Sequence, residues 1–209
     1  MENISKIPDK FKSLIDKEYL KVGKDVYIHK TVTFINLSHP DNIVEIGDGC
    51  IIRSGCVIYG GCSFANNVKV GHNTILMSKI IVGENSYIGG LCNFEGDTRI
   101  GSNCGINAQC HITKFTVIGD YTFFGPMVCT TNDYKMRYKR SGHGEALIGP
   151  IIGRGVRVGN MATILPGIVI GDNSIIGAAS IITKNVPKNS IVFGSPAEIK
   201  GEVPEDDRL

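Results

Sequence analysis

From Ile46 to Cys129 an apolar residue recurs at every sixth position, and the stretch divides into fourteen six-residue blocks without a slip. Each block opens on Ile, Val, Leu or Phe. Its fifth residue is small or β-branched: Cys50, Cys56, Cys62, Val68, Thr74 and Ile80 begin the series, and Cys110, Thr116, Thr122 and Val128 end it. A period of six fits neither the 3.6-residue repeat of an amphipathic helix nor the two-residue alternation of a half-buried strand. Hexapeptide self-similarity predicts a β-helix, in which each block gives one short strand and one corner and three blocks complete a coil. The first residue then fills the interior and the fifth a tight corner. No coil buries its core face until another stacks on it about 4.8 Å away. Gly at the second position, as at Gly47, Gly71, Gly83 and Gly119, is expected to ease the chain through the bend. Coils of this hexad kind wind left-handed, an exception to the right-handed crossover rule.

The grid extends backwards in phase through blocks opening at Val22, Ile28, Phe34 and Pro40, so about six coils run from Val22 to Cys129. Ahead of them, Phe11, Leu14, Ile15 and Tyr19 or Leu20 stand at helical spacing behind Pro8 and predict a short amphipathic helix over the open base. After Cys129 the phase breaks in a polar stretch holding Gly142 and Gly144. It resumes out of step at Ile152, and two further coils end at Pro187. An ejected loop of roughly 10 to 16 residues accounts for the slip, and long loops in compact domains tend to be functional. The expected organisation is one all-β domain, a left-handed parallel β-helix of about eight coils. A helical cap occupies 1–21, coils 22–129, the loop 130–147, coils 148–187, and a C-terminal cap with an acidic, mobile tail 188–209.

Composition narrows the function. With 42% hydrophobic residues and a net charge of +2, the chain has a substantial core and no electrostatic case for nucleic-acid or membrane-surface binding. The N-terminal residues carry no apolar run of signal-peptide length, and no stretch approaches the roughly 20 apolar residues of a membrane span, so a cytoplasmic protein is expected. Six of the seven cysteines fall on the fifth position of the grid. They read as reduced corner fillers, not as a disulfide framework. Cys129, at a sixth position beside the loop, is the one candidate for exposure.

Because residues eighteen apart stack, the sequence also places polar side chains. Asn93 lies beneath His111, Glu95 beneath Thr113 and Thr131, and Lys114 beneath Asn132, with Asp133 at the mouth of the loop. Each alone is usual for a solvated solenoid face; their convergence under the departing loop is not. His111 is the candidate base, since imidazole titrates near neutral pH and Glu95 could orient it. His72, His29 and His39 sit on lower coils, and His143 rides the loop.

FGPMVCTTND, followed after the loop by NMATILPGIVIGDNSIIGAASIITKNVPKNSIVFGSPAEIK, resembles the left-handed β-helix acyltransferases of the hexapeptide-repeat superfamily. The resemblance covers nearly all of residues 22–200. TND, RSGCVIYGG, VGHNTI and NFEGDTRIG are similar to the branch that N-acetylates nucleotide-activated amino sugars for surface polysaccharides. The resemblance implies a homotrimer with active sites between neighbouring prisms and acetyl-CoA as co-substrate. The implied coenzyme contacts are Asn160, the backbone of Ala178, and Thr183 with Lys184, whose ammonium suits a phosphate. Relatives with a histidine base in a run like INAQCHITKFT carry it where this chain has Lys114, and relatives acetylating sugar hydroxyls tend to carry histidine where this chain reads TTNDYKMR. A hydroxyl needs a strong base, whereas an amine needs only to lose its ammonium proton, so an amine acceptor is expected.

The expected chemistry is direct transfer in a ternary complex, with His111 and Glu95 catalytic and Asn132, Asp133 and Lys114 binding the nucleotide-linked amino sugar. Main-chain N–H groups would steady the developing oxyanion, and no metal is expected. The alternatives are O-acetylation of a sugar or serine hydroxyl and a non-enzymatic scaffold. A zinc carbonic anhydrase on the same coil would need closely spaced histidines; Met77 stands five residues after His72, and the chain has no His-x4-His pair.

Overall fold

Each block forms a strand of two or three residues and a turn, as in Ile51–Ile52, Lys69–Val70 and Tyr87–Ile88 on one side of the coil. The structure is a computed structural model and describes residues 7–38, 40–142 and 146–209. Strands three blocks apart pair in parallel, Ile51 with Lys69 and Ile52 with Val70. Stacking builds three sheets of 8, 10 and 8 strands. The residue that opens each block points inwards: Ile52, Phe64, Leu76, Ile88, Ile112 and Phe124 are at most 2% exposed. Burying a side chain of this size contributes about 1.5–3 kcal/mol. Among the described residues no helix is long and apolar enough to cross a membrane.

The fifth position does more than fill a corner. Thr74 and Ser86 donate their hydroxyls to the carbonyls of Gly89 and Gly101 at 2.7 and 2.8 Å. Cys50, Cys56 and Cys104 reach the carbonyls of Ala65, Gly71 and Gly119 at 3.0, 3.0 and 3.2 Å. These side chains satisfy a main-chain acceptor on the next coil, which explains why small donors recur there among purely apolar residues. Burial pushes the Cys62 thiol up to about 11, as for a group whose charged form is excluded from the core.

Glycine at the second position has a different role from the one expected. The bend lies at the fourth position, where the left-handed conformation recurs at Gly49, Gly55, Asn67, Asn73, Asn85 and Gln109. A Cβ added to Gly83 would instead lie 2.5 Å from the Gly101 carbonyl carbon and the Ser102 nitrogen. The second position therefore needs glycine because the next coil's backbone passes too close for a side chain.

Two insertions interrupt the register. In the first coil Leu20 pairs with Val44, 24 residues on, so one in-phase hexad makes no side and bulges outwards, bridged between Ser38 and Asn42. At the loop, Val117 pairs with Ile151, 34 residues on instead of 18.

Both ends differ from expectation. At the N-terminal end helix covers Asp9–Phe11 and Lys12–Asp16 and stops short of Leu20, because Glu18 turns left-handed and Leu20 already belongs to the first strand. Phe11 plugs the base, its ring edge-on to Phe34 at 5.2 Å. The C-terminal segment is no loose tail: Ser190–Gly194 and Ala197–Glu202 form an antiparallel hairpin on the second sheet. Val203 is buried, Asp207 pairs with Arg157 at 2.9 Å, and the Leu209 amide donates to Asn173 Oδ1 at 3.0 Å.

Candidate active site

Parallel register brings one outward column together on the third sheet, where Asn93 lies under His111, His111 under Cys129, Cys129 under Thr163 and Thr163 under Ile181. His111 projects because it precedes the buried Ile112 in its two-residue strand. Its Nε2 lies 2.9 Å from Glu95 Oε1. An ionised carboxylate only accepts, so Nε2 donates and Nδ1 carries the lone pair. Glu95 is held behind the ring, its second oxygen 3.4 Å from the Lys114 amide that donates to it.

The loop leaves the prism directly above. Asn132, 9% exposed, donates its Nδ2 to the Lys114 carbonyl at 3.3 Å, and the Ile148 amide donates to the Asn132 carbonyl at 2.9 Å. These bonds close the neck of the loop. Asp133 Oδ1 accepts from the amides of Lys135 and Met136 at 3.0 and 2.8 Å and so sets the first turn beyond it. Between neck and coil opens a cavity of about 480 Å³ lined by His111, Thr113, Cys129, Asn132, Asp133 and Tyr134, with Met136, Leu165 and Pro166 on its apolar side.

Of the residues predicted to act here, His111, Asn132 and Asp133 line this cavity and Glu95 stands behind His111. Lys114 does not line it: its ammonium pairs with Asp97 at 2.9 Å and lies over the Phe115 ring. His72 is bonded to Ser54 at 2.7 Å and His29 to Thr31 at 2.9 Å; His39 and His143 lie outside the described residues. Sequence reasoning missed Cys129 as a wall of the site, although the eighteen-residue spacing that stacked Asn93 under His111 also puts Cys129 on top. Burial pushes the Cys129 thiol up, and the Glu95 carboxylate adds to the shift.

The four predicted coenzyme residues divide between the two edges of the same sheet. Asn160 and Ala178 precede the strands Thr163–Ile164 and Ile181–Ile182, and Thr183 with Lys184 follows the second. Ile181 stands three strand spacings, roughly 14 Å, above His111. At another corner the amides of Asp48 and Arg154 donate to Asn66 and Asp172 on the next coil. Asn160 instead lies over Gly125 and Pro126, and proline has no N–H to give. Among the described residues neither the Asn160 side chain nor the Ala178 N–H has a partner. These two exposed, unpaired polar groups one coil apart fit the amide-rich arm of coenzyme A. Lys184 lines a second cavity of about 270 Å³ with Asn185, Glu198 and Ile199. Among the described residues it has no carboxylate within ion-pair distance; Glu198 pairs with Lys200 at 2.8 Å and acts on Lys184 only at longer range. Its ammonium is therefore available to a phosphate. Among the described residues no group of three or more His, Cys, Asp or Glu could hold a metal ion.

Residues 22–123 match the GMPPB C-terminal domain family, and residues 149–184 match the bacterial transferase hexapeptide family of six repeats. The chain is 35% identical over 133 residues to galactoside O-acetyltransferase of Escherichia coli K12, covering 61% of this chain and 66% of the relative. It is 26% identical over 192 residues to the bifunctional protein GlmU of Acinetobacter baylyi, covering 87% of this chain and 40% of the relative. The match thus spans under two thirds of either relative's length. The fold is similar to that of UDP-N-acetylglucosamine O-acyltransferase (LpxA) from Moraxella catarrhalis, with a TM-score of 0.64 at 18% identity over 90% of this chain and 74% of that one. Hexad grid, three parallel sheets and these likenesses agree: the chain carries the repeats of the bacterial transferase hexapeptide family and has the left-handed β-helix fold.

Proposed function

We propose that this chain is an acetyl-CoA-dependent N-acetyltransferase acting on the amino group of a nucleotide-linked sugar, as a cytoplasmic homotrimer, in the synthesis of surface polysaccharide. The observation that carries the reading is the His111–Glu95 pair at 2.9 Å on a cavity beneath the loop. In a ternary complex the neutral amine attacks the thioester carbonyl carbon, the C–S bond breaks, and the amine proton passes to His111 Nδ1. The imidazolium then returns that proton to the leaving thiolate, which departs as free coenzyme thiol and leaves His111 neutral again. Glu95 fixes the tautomer and steadies the imidazolium. Asn132 and Asp133 hold sugar hydroxyls or the amine, and Asn160, Ala178, Thr183 and Lys184 hold the coenzyme.

A second reading, transfer to a sugar hydroxyl, is favoured by the likeness to galactoside O-acetyltransferase. The His111–Glu95 pair at the cavity can serve either acceptor; the amine is favoured by TTNDYKMR standing where relatives that acetylate sugar hydroxyls tend to carry histidine. The deciding measurement is thiol released from acetyl-CoA against nucleotide-linked 3-amino and 4-amino sugars, with hydroxyl sugars and serine as controls. Turnover with an amino sugar is expected, and His111→Ala should lower kcat by about 10²- to 10⁴-fold. Turnover with hydroxyl acceptors alone would overturn the amine reading, and an undiminished rate in His111→Ala would remove His111 as the base.

A further inference from the structure

The loop carries a charge pattern that the chemistry at His111 does not use. Residues 134–142 read YKMRYKRSG, with four cations and no carboxylate, in a chain whose net charge is only +2. A solvated face usually interleaves both signs. Elsewhere in this protein Lys114, Arg157 and Lys200 each meet a carboxylate. Among the described residues Lys135, Arg137, Lys139 and Arg140 have no such partner.

Two of the four are placed for a ligand. A cavity of about 270 Å³ lined by Lys135, Arg137, Gly142 and Ile148 shares Asp133 and Tyr134 with the His111 cavity. A molecule filling one therefore abuts the other. Arg137 is half-buried, and its Nη1 donates to the Ser141 carbonyl at 3.2 Å, which positions the guanidinium and leaves further donors in its fork. Asp133 caps the amides of Lys135 and Met136, so the turn presenting these cations is fixed by the chain itself. The His111 cavity has no Lys or Arg in its lining; an acceptor bearing phosphate must have its charge met next door. Tyr134, which lines both cavities, is 77% exposed, a flat surface on which a base can stack.

We infer that Lys135 and Arg137 form an anion subsite for the phosphate groups of the acceptor, with a nucleoside diphosphate as the class of group recognised. The inference rests on the acceptor entering the His111 cavity, as proposed above. It says which end of the acceptor the loop reads.

The test is binding of uridine diphosphate and thymidine diphosphate to the full chain without acetyl-CoA, by calorimetry at low and moderate salt. Uridine serves as the uncharged control, and coenzyme A and adenosine 3′,5′-bisphosphate as the coenzyme arm. We expect the diphosphates to bind, uridine to bind far more weakly, and added salt to loosen the complex. The double variant Lys135→Gln/Arg137→Gln should weaken diphosphate binding at least tenfold, with coenzyme A affinity within twofold of wild type and an unchanged melting midpoint. Unchanged diphosphate affinity in that variant would overturn the subsite. So would an equal loss in Arg140→Gln, which would reduce the effect to net charge. Loss of coenzyme A or bisphosphate binding in place of the nucleotide's would give these cations to the coenzyme. Diphosphate binding that depends on Arg137, in a protein that acetylates no amino sugar, would sustain the subsite while sinking the acetyltransfer reading. Acetylation of a nucleotide-linked amino sugar with the same KM in wild type and variant would do the reverse.

Discussion

The Thr113 amide donates to the Thr130 hydroxyl at 2.8 Å, whereas Glu95 and Thr131, one coil below and above, donate to the main-chain carbonyls of Ile112 and Ile164. Thr130 is fully buried at a block-opening position, where Ile, Val, Leu or Phe stands in the regular coils. Its hydroxyl also lies 2.9 Å from that of Thr113. A side-chain oxygen thus stands in for a ladder carbonyl at the residue where the chain prepares to leave the prism. The neck of the loop, and with it the roof of the His111 cavity, is built on that substitution.

Thr130→Val keeps the shape and removes the acceptor. A buried N–H left without a partner costs about 1–3 kcal/mol, and in a chain of this size each kcal/mol lowers Tm by roughly 2–4 °C. Urea and thermal melts should show that loss for Thr130→Val and a smaller one for Thr130→Ser, which keeps the oxygen. A Val variant as stable as wild type would mean that water or a rotated carbonyl serves Thr113 equally well.

Cys129 offers a reporter of the same site. It is the half-buried cysteine of seven, the other six being buried, so one equivalent of native thiol should react with iodoacetamide ahead of the rest. Burial first, and then the Glu95 carboxylate, raise its pKa. The thiolate is the reacting form. Labelling should therefore be slow at pH 7 and keep climbing above the ordinary thiol range near 8.5. Glu95→Gln removes the like charge, lowers the pKa and should speed labelling at pH 8. Slower labelling in that variant, or several thiols reacting together, would contradict the geometry.

How much of this was legible depended on whether a feature repeats. Residues such as Cys50, Thr74 and Ile112 obey a grid that fixes both burial and stacking, so Asn93, His111 and Glu95 could be placed on adjoining coils by counting. The grid says nothing of where a long side chain turns. Lys114 has the right position and spends its charge on Asp97, a carboxylate one coil down and one residue short of the stacking interval. The C-terminal hairpin was hidden for a related reason. SIVFG and AEIKGE lie outside the hexads, and the acidic end looked solvated until Arg157, from a coil 50 residues earlier, paired with Asp207. Non-local pairing of single charges leaves no period to read.

The contrast between second and fourth positions makes a last prediction, in which the usual sign reverses. Replacing Gly by Ala where the backbone allows it stabilises a protein by about 0.4–1 kcal/mol through the unfolded chain. At Gly83, whose φ is not left-handed, that gain would be expected. The added Cβ, however, would stand 2.5 Å from two backbone atoms of the next coil, and backbone in a stacked sheet cannot swing aside. Overpacking of this kind costs about 1–3 kcal/mol, so Gly83→Ala should lower the melting midpoint. Gln109, exposed and left-handed at φ 64°, is the opposite case. A left-handed L-residue pays about 1–2 kcal/mol, which exceeds the roughly 0.5–1 kcal/mol of extra chain freedom that glycine must lose. Gln109→Gly should be neutral or stabilising by up to about 1 kcal/mol. If melts show Gly83→Ala neutral and Gln109→Gly clearly destabilised, the bend would have to be reassigned to the second position, and the close approach of coils would no longer explain why glycine recurs there.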